Sequence, residues 1–275
     1  MKKKIKVSQI VINAVLIIML VIMLFPLWYA FWNSFKSKTA YDMDRWLPYF
    51  PLRISNLSTA YELVGSYLIN TVFVAVAGVG GMLIISSLAS FGIAKLRFYG
   101  QNLFFMSILA MMMIPSVLTI VPSYVLYRGI GLRNNFLAMI IPIWSGGCVF
   151  AVFLLVTMFK GLPNELFEAA ELDGANSLEK YFMIALPLSI PILGTITIMQ
   201  IVNVWNDFMW PQLIMESEKY TIGAGLKYVF GNSINNNTIT VEFSSYLLAS
   251  LPVIALFVFA NRFYIQGLVG SAIKM

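Results

Sequence analysis

Glu165, Glu168, Glu171, Asp173 and Glu179 place five of the chain's twelve acidic residues within fifteen consecutive positions. Their centre, Glu168-Ala169-Ala170-Glu171-Leu172-Asp173-Gly174-Ala175, lies between two strongly apolar stretches, and Phe182, Ile184, Leu186-Pro187 and Pro191 follow. Carboxylates at this density cannot sit in hydrocarbon. The segment is therefore wet, and its chemistry is recognition: charge on Glu168 and Asp173, and two small side chains that let a partner approach the backbone. The competing reading is an amphipathic loop packed on its own chain. A second group comprises Gln200, Asn203, Trp205, Asn206 and Asp207, followed by Phe208 and Trp210-Pro211. Amides and a carboxylate suit hydroxyl-bearing solutes, and indole rings suit the flat apolar faces of sugars. Each of these residues is equally readable as an interfacial belt residue or an interhelical hydrogen-bonding group.

What is missing narrows the chemistry further. The chain has no histidine, so His-based acid–base pairs and the His-Glu-x-x-His zinc motif are excluded. Its one cysteine, Cys148, can form neither an internal disulfide nor a Cys-rich metal site. There is no Gly-x-x-x-x-Gly-Lys-Ser/Thr phosphate loop, so ATP is not bound in that way. No catalytic residue and no metal ligand set is assigned. The net charge of +6 is concentrated most clearly in Lys2-Lys3-Lys4-Ile5-Lys6, directly before an apolar run. That is an anchor facing anionic lipid rather than a nucleic-acid stripe.

The elements that hold these groups are membrane helices. The 275 residues are 60% hydrophobic and only 11% charged. A span needs about 20 apolar residues, and six fit: 10–32, 67–94, 102–127, 136–159, 188–211 and 243–264. The chain reads as one domain, 1–275, with residues 36–66 and 215–242 as polar loops. Gly78, Gly80, Gly81, Ser86, Ser87, Ala89 and Ser90 let the second span approach another helix closely. Pro115 and Pro122 kink the third. Ten of the eighteen Lys and Arg residues fall on the amino-terminal side of the membrane. The short basic segments near the spans put both termini, and the acidic loop 160–187, in the cytoplasm.

Within that loop Asn164 is placed to cap a helix, Glu165 to complement its dipole, Gly174 to stop it and Ser177 to cap a second short helix ending at Pro187. The pattern predicts helix–turn–helix.

Glu168-Ala169-Ala170, Gly174, Ile184 and Leu186-Pro187, at this spacing, resemble the cytoplasmic loop of bacterial ABC importer permeases. Asp173, Ala175 and Leu162-Pro163-Asn164-Glu165-Leu166 are similar to the carbohydrate-importer branch, as are Trp205-Asn206-Asp207-Phe208 with Trp210-Pro211, Asn70-Thr71 and the tail from Gln266 to Lys274. The resemblance implies an all-α integral membrane bundle of six transmembrane helices with a cytoplasmic coupling helix, in a bacterial cytoplasmic membrane. It implies that Glu168, Ala169, Ala170, Asp173, Gly174 and Ala175 dock an ATPase, and that Gln200, Asn203, Trp205, Asn206 and Asp207 border a sugar path. The implied partners are a second homologous permease, two ATP-binding subunits that carry ATP and Mg, an extracytoplasmic sugar-binding protein and membrane lipid, with no nucleic acid. This chain itself would hold no cofactor. An importer permease for glycerol phosphate, a polyol or a peptide is the main alternative, and a membrane-embedded enzyme a distant one. Asn70-Thr71 is expected to cap or pack. Nothing is assigned to Glu179-Lys180-Tyr181.

Overall fold

The computed structural model describes residues 7–231 and 239–272, with side chains for 9–231 and 239–260. The readings placed on residues 2–6, on positions 232–238 of the second polar loop and on the side chains of 261–274 lie outside them. The described elements are helical: α1 (Val7–Ser34), α2 (Lys38–Met43), α3 (Ser55–Lys95), α4 (Gln101–Met112), α5 (Ser116–Gly129), α6 (Leu137–Lys160), α7 (Asn164–Leu172), α8 (Ser177–Asn206), α9 (Met209–Ile214), α10 (Ile222–Phe230) and α11 (Ile239–Ala272). Among the described residues five helices are long and apolar enough to cross a membrane, or six if the bent pair α4–α5 counts as one span. The protein is an all-α membrane bundle.

The stretch expected as the third span is two helices rather than one kinked helix. α4 and α5 meet at 98°. Pro115 cannot donate to the preceding turn and drives Ile114 away from helical geometry. Met113 and Ile114 instead donate to Ala110 and Met111, tightening the end of α4. Pro122 remains inside α5.

Two segments expected as loops are partly helical. α3 begins at Ser55, because Asn56, Ala60 and Val64 form a buried stripe at i, i+4, i+8 that the polar composition conceals. Within 215–242 the chain forms a short 3₁₀ turn and then α10, whose Ile222, Ala224 and Phe230 are buried. Its two glycines argue against a helix on propensity. Gly225 is there because the Tyr67 ring occupies the place a Cβ would take. The fifth span ends at Asn206, before Pro211, because Asp207 turns to extended backbone.

The chain divides into two compact units, Met1–Gly65 with Val229–Leu251, and Ser66–Tyr228 with Pro252–Met275. In the first, the carbonyl-bearing end of α1 is closed by buried polar side chains. Asn56 Nδ2 donates to Ser34 and Lys36 carbonyls at 2.9 and 2.8 Å, and the Ser244 hydroxyl donates to Ser34 at 2.8 Å. These serve carbonyls that a helix end otherwise leaves unpaired. In the second unit Val74, Met82, Phe91, Leu155, Phe159 and Ile196 belong to the core. The small residues of α3 work inside the chain. Gly78 lies under Ile143 and Gly81 under the Trp144 indole, with no room for a Cβ at either position, and Trp144 Nε1 donates to the Ala77 carbonyl at 3.2 Å.

Candidate functional site

The acidic loop is a helix–turn–helix whose turn is set by glycine. Gly174 has φ +85°, the left-handed region open to glycine at no steric cost. Ala175 N–H donates to Ala170 C=O at 2.9 Å and Gly174 N–H to Glu171 C=O at 3.0 Å. These are the two bonds of a Schellman motif. α7 is therefore stopped, with Glu168, Ala169 and Asp173 exposed and Leu172 90% exposed.

Two capping expectations are corrected. Pro163, not Asn164, precedes α7, and it supplies no side-chain cap. Asn164 is already helical, and its Oδ1 accepts from Lys95 Nζ at 2.8 Å. The second helix is capped by Asn176, not Ser177. Asn176 Oδ1 accepts from Leu178 and Glu179 N–H at 3.0 Å each, and Glu179 Oε2 accepts from Asn176 N–H at 2.7 Å. Asn176 wins because it stands in extended backbone one residue earlier, with an acid three positions on that completes a capping box.

α7 is held to α3 from beneath. Lys95 Nζ also donates to the Leu162 carbonyl at 2.9 Å and lies 4.5 Å from the Phe167 ring centroid. Phe167, the buried residue of α7, meets Phe91, which also meets Phe159 and Tyr181. The Tyr181 hydroxyl is 2.7 Å from the Ser87 hydroxyl. Lys180 bonds Glu171 at 2.6 Å across the turn. All three residues of Glu179-Lys180-Tyr181, left without a role above, brace the pair. Asn176-x-x-Glu179 was the readable signal for one of them.

The Lys180 ammonium holds the Glu171 carboxyl below the ordinary carboxylate range. With the folded pKa depressed, this contribution is complete above the ordinary value and is lost as pH falls through the folded one. The pair is exposed on the Glu171 side, so the effect is small. Thermal melts in acid are expected to show a pH-dependent loss that Glu171→Gln lacks. Superimposable curves down to about pH 3 would remove the pair from the stability of the turn.

Three residues of the second group border a cavity of about 370 Å³ in the same unit. Gln200, Asn203 and Asp207, at i, i+3, i+7, line it from α8. Ser116, Thr119 and Ser123, at the same spacing, line it from α5, and Gly146 and Gly147 from α6. The hydroxyl stripe after Pro115 was legible as one helix face and was not singled out. Trp205 and Asn206 do not line the cavity. Trp205 is buried, and exposed Asn206 donates to Val202 C=O at 2.9 Å. Asp207 Oδ1 accepts from Met209 and Trp210 N–H at 3.1 and 3.2 Å, so one oxygen fixes the start of α9. Pro142 leaves the Ala138 carbonyl without its helical donor, and Trp210 Nε1 supplies one at 2.8 Å. α6 becomes π-helical at Ile143–Gly147 immediately afterwards, beside the cavity. Thr71 does cap, though for a distant helix: its Oγ1 accepts from Ile222 N–H at 2.7 Å at the start of α10. Asn70 Nδ2 donates to Glu218 and Tyr220 carbonyls.

The family model described as "Binding-protein-dependent transport system inner membrane component" matches residues 81–265. The chain belongs to this family. It is a membrane-spanning transport permease of the ABC importer type, a transport component rather than a catalyst. The permease is 32% identical over 206 residues to the arabinooligosaccharides transport system permease protein AraQ of Halalkalibacterium halodurans, covering 74% of this chain and 72% of that one. It is 29% identical over 208 residues to the sn-glycerol-3-phosphate transport system permease protein UgpE of Pectobacterium atrosepticum, covering 75% and 73%. Its fold matches a chain of a bacterial ABC transporter involved in the import of the acidic polysaccharide alginate, with a TM-score of 0.83 at 24% identity, covering 96% of this permease and 100% of that chain. The family match contains the helix–turn–helix and the α5, α6 and α8 faces of the cavity.

Proposed function

We propose that this permease carries a neutral sugar or oligosaccharide into the cell and is driven by separate ATP-binding subunits. One observation carries the reading: α8 joins the two candidate sites. It begins in the braced helix–turn–helix and ends in the cavity, with Asn203 about 25 Å from Leu186 along the axis. A push on α7, gripped by Lys95 and Phe91 and tied to α8 by Lys180, reaches the cavity through α3 and α8 together.

In this reading Glu168, Ala169, Ala170, Asp173, Gly174 and Ala175 form the face that meets an ATP-binding subunit in the cytoplasm, where both termini lie. Two such subunits hold ATP and Mg, a second homologous permease completes the path, and an extracytoplasmic solute-binding protein delivers the solute. Closure of the ATPase pair rocks the spans between inward- and outward-facing states. The break between α4 and α5 and the π-helical turn of α6 supply places where helices can bend without breaking backbone bonds anew.

The cavity lining favours a neutral solute over a phosphate ester. Hydroxyls, amides and one carboxylate border it, with no ammonium or guanidinium among the lining residues. A phosphate dianion calls for Arg or Lys and is repelled by Asp207. The likeness to a glycerol-phosphate permease keeps that solute as the second reading.

The test is purification of the tagged chain from its native membrane with identification of its companions, followed by uptake assays on the reconstituted assembly. An ATPase, a second permease and sugar uptake are the expected results. Asn203→Leu removes one ligand hydrogen bond worth about 1 kcal/mol, so the solute concentration for half-maximal uptake rises roughly fivefold. Asp207→Asn keeps the oxygen that caps α9 and is expected to retain assembly. Uptake of glycerol phosphate but of no sugar would establish the second reading, and absence of any ATPase would end both.

A further inference from the structure

The segment after α2 belongs to the stretch 36–66 that was expected to be a polar loop. Its side chains have the wrong chemistry for that. Met43, Trp46, Leu47 and Phe50 are each at least 60% exposed. An apolar patch of this kind marks a binding surface. Its position says which surface. The loop folds back along α1, where the Trp46 ring lies 6.0 Å from Phe25 and 5.4 Å from Tyr29. Phe50 meets Trp32 at 6.5 Å. Phe25 precedes Trp32 by seven residues, so Trp46 lies about 10 Å nearer the amino end of α1 than Phe50 does. The most apolar 18-residue stretch of α1 has a mean hydropathy of 3.0, and none of its residues is buried. The loop therefore continues the lipid-facing surface of a membrane helix.

We propose that residues 43–52 form an interfacial anchor that seats in the headgroup–acyl boundary of the bilayer at the carboxyl end of α1. Aromatic side chains are the ones favoured at that depth. The backbone is prepared for scarce water. Pro48 and Pro51 have no N–H to satisfy. The N–H groups of Trp46 and Leu47 donate to Asp44 Oδ1 at 2.7 and 3.2 Å, and that of Arg53 to Phe35 C=O at 2.7 Å. Lys36, 1% exposed, fixes the base of the loop by donating to Asp44 C=O at 2.8 Å. Arg45 and Arg53 are exposed at its two ends, where long cationic side chains can reach lipid phosphates. A bilayer is preferred to a protein as the occupant because the patch is contiguous with the bare apolar face of α1.

The test uses the full chain in lipid nanodiscs with Cys148→Ser and a single reporter cysteine, Leu47→Cys or Phe50→Cys, labelled with an environment-sensitive fluorophore. Thr39→Cys, exposed on α2, is the water-facing reference. Blue-shifted emission at 47 and 50, quenched more by nitroxide on the upper acyl chain than by aqueous iodide, is expected, with the opposite order at 39. Iodide quenching at 47 and 50 equal to that at 39 would overturn the proposal. So would shielding that develops only when an extracytoplasmic solute-binding protein is added, which would make the patch a protein-docking surface. Leu47 makes none of the aromatic contacts along α1, so its variant stays informative if the Phe50 variant fails to fold.

Discussion

Gly174→Val is expected to leave the permease folded in the membrane while abolishing both co-purification of ATP-binding subunits and ATP-driven uptake. The reason is conformational. A Cβ at 174 would meet nothing within 4 Å, so there is no clash to unfold the protein. The backbone, however, stands at φ +85°. Left-handed geometry costs an ordinary residue about 1–2 kcal/mol, and a β-branched one more. Valine escapes by leaving that region, which breaks the 2.9 Å bond from Ala175 to Ala170 and the 3.0 Å bond from Gly174 to Glu171. α7 then loses its stop, and the exposed face made by Glu168, Ala169 and Asp173 changes direction. Asn tolerates positive φ, so Gly174→Asn should retain most uptake. The measurement is ATPase recovered per permease, alongside the melting curve. Wild-type recovery with Gly174→Val would show that the turn does not shape the docking face.

The two sites differ in how legible they are in the sequence. The turn was readable because its determinants are local: a glycine after a helix-forming run, with acids early in the run. The brace was not. Lys95, Phe91 and Ser87 lie far back in the sequence on α3, and each reads as a generic span residue until the loop folds onto it. The same distinction runs through the cavity. Gln200, Asn203 and Asp207 stood out as polar groups at membrane depth and share one helix face. Trp205 and Asn206 were included for their side-chain chemistry and the Trp-Asn-Asp-Phe resemblance, but helical rotation turns them away from the cavity. Ser116, Thr119 and Ser123 were overlooked because small hydroxyls are common in membrane helices and usually bond their own backbone, as Thr119 does to Ser116 C=O at 2.7 Å. Helix boundaries erred where burial outweighed propensity, at Ser55–Gly65 and at α10.

Phe91→Ala is expected to separate ATP hydrolysis from transport, the converse of the Gly174 phenotype. Phe91 is 5% exposed, and its ring centroid lies 5.4 Å from Tyr181 and 6.3 Å from both Phe159 and Phe167. Among the described residues it is the ring that touches the span before the loop, the loop helix and the start of α8. Truncation removes that contact and leaves a cavity, a change that costs about 3–5 kcal/mol in packed cores. The Schellman turn and the exposed face of α7 do not depend on it, so the ATP-binding subunits should still co-purify. What is lost is stiffness: α7 can then shift under load without moving α3 and α8. The assembly should hydrolyse ATP at a substantial rate with uptake reduced far more than hydrolysis, and the permease should melt earlier. Phe167→Ala removes the other side of one of the same contacts. Because the pair shares a cavity, the double variant should be less impaired than the sum of the two. If uptake and hydrolysis fell in equal proportion in Phe91→Ala, the ring cluster would be a packing feature alone, and the force from α7 would have to reach the cavity through Lys95 and the backbone of 173–186 instead.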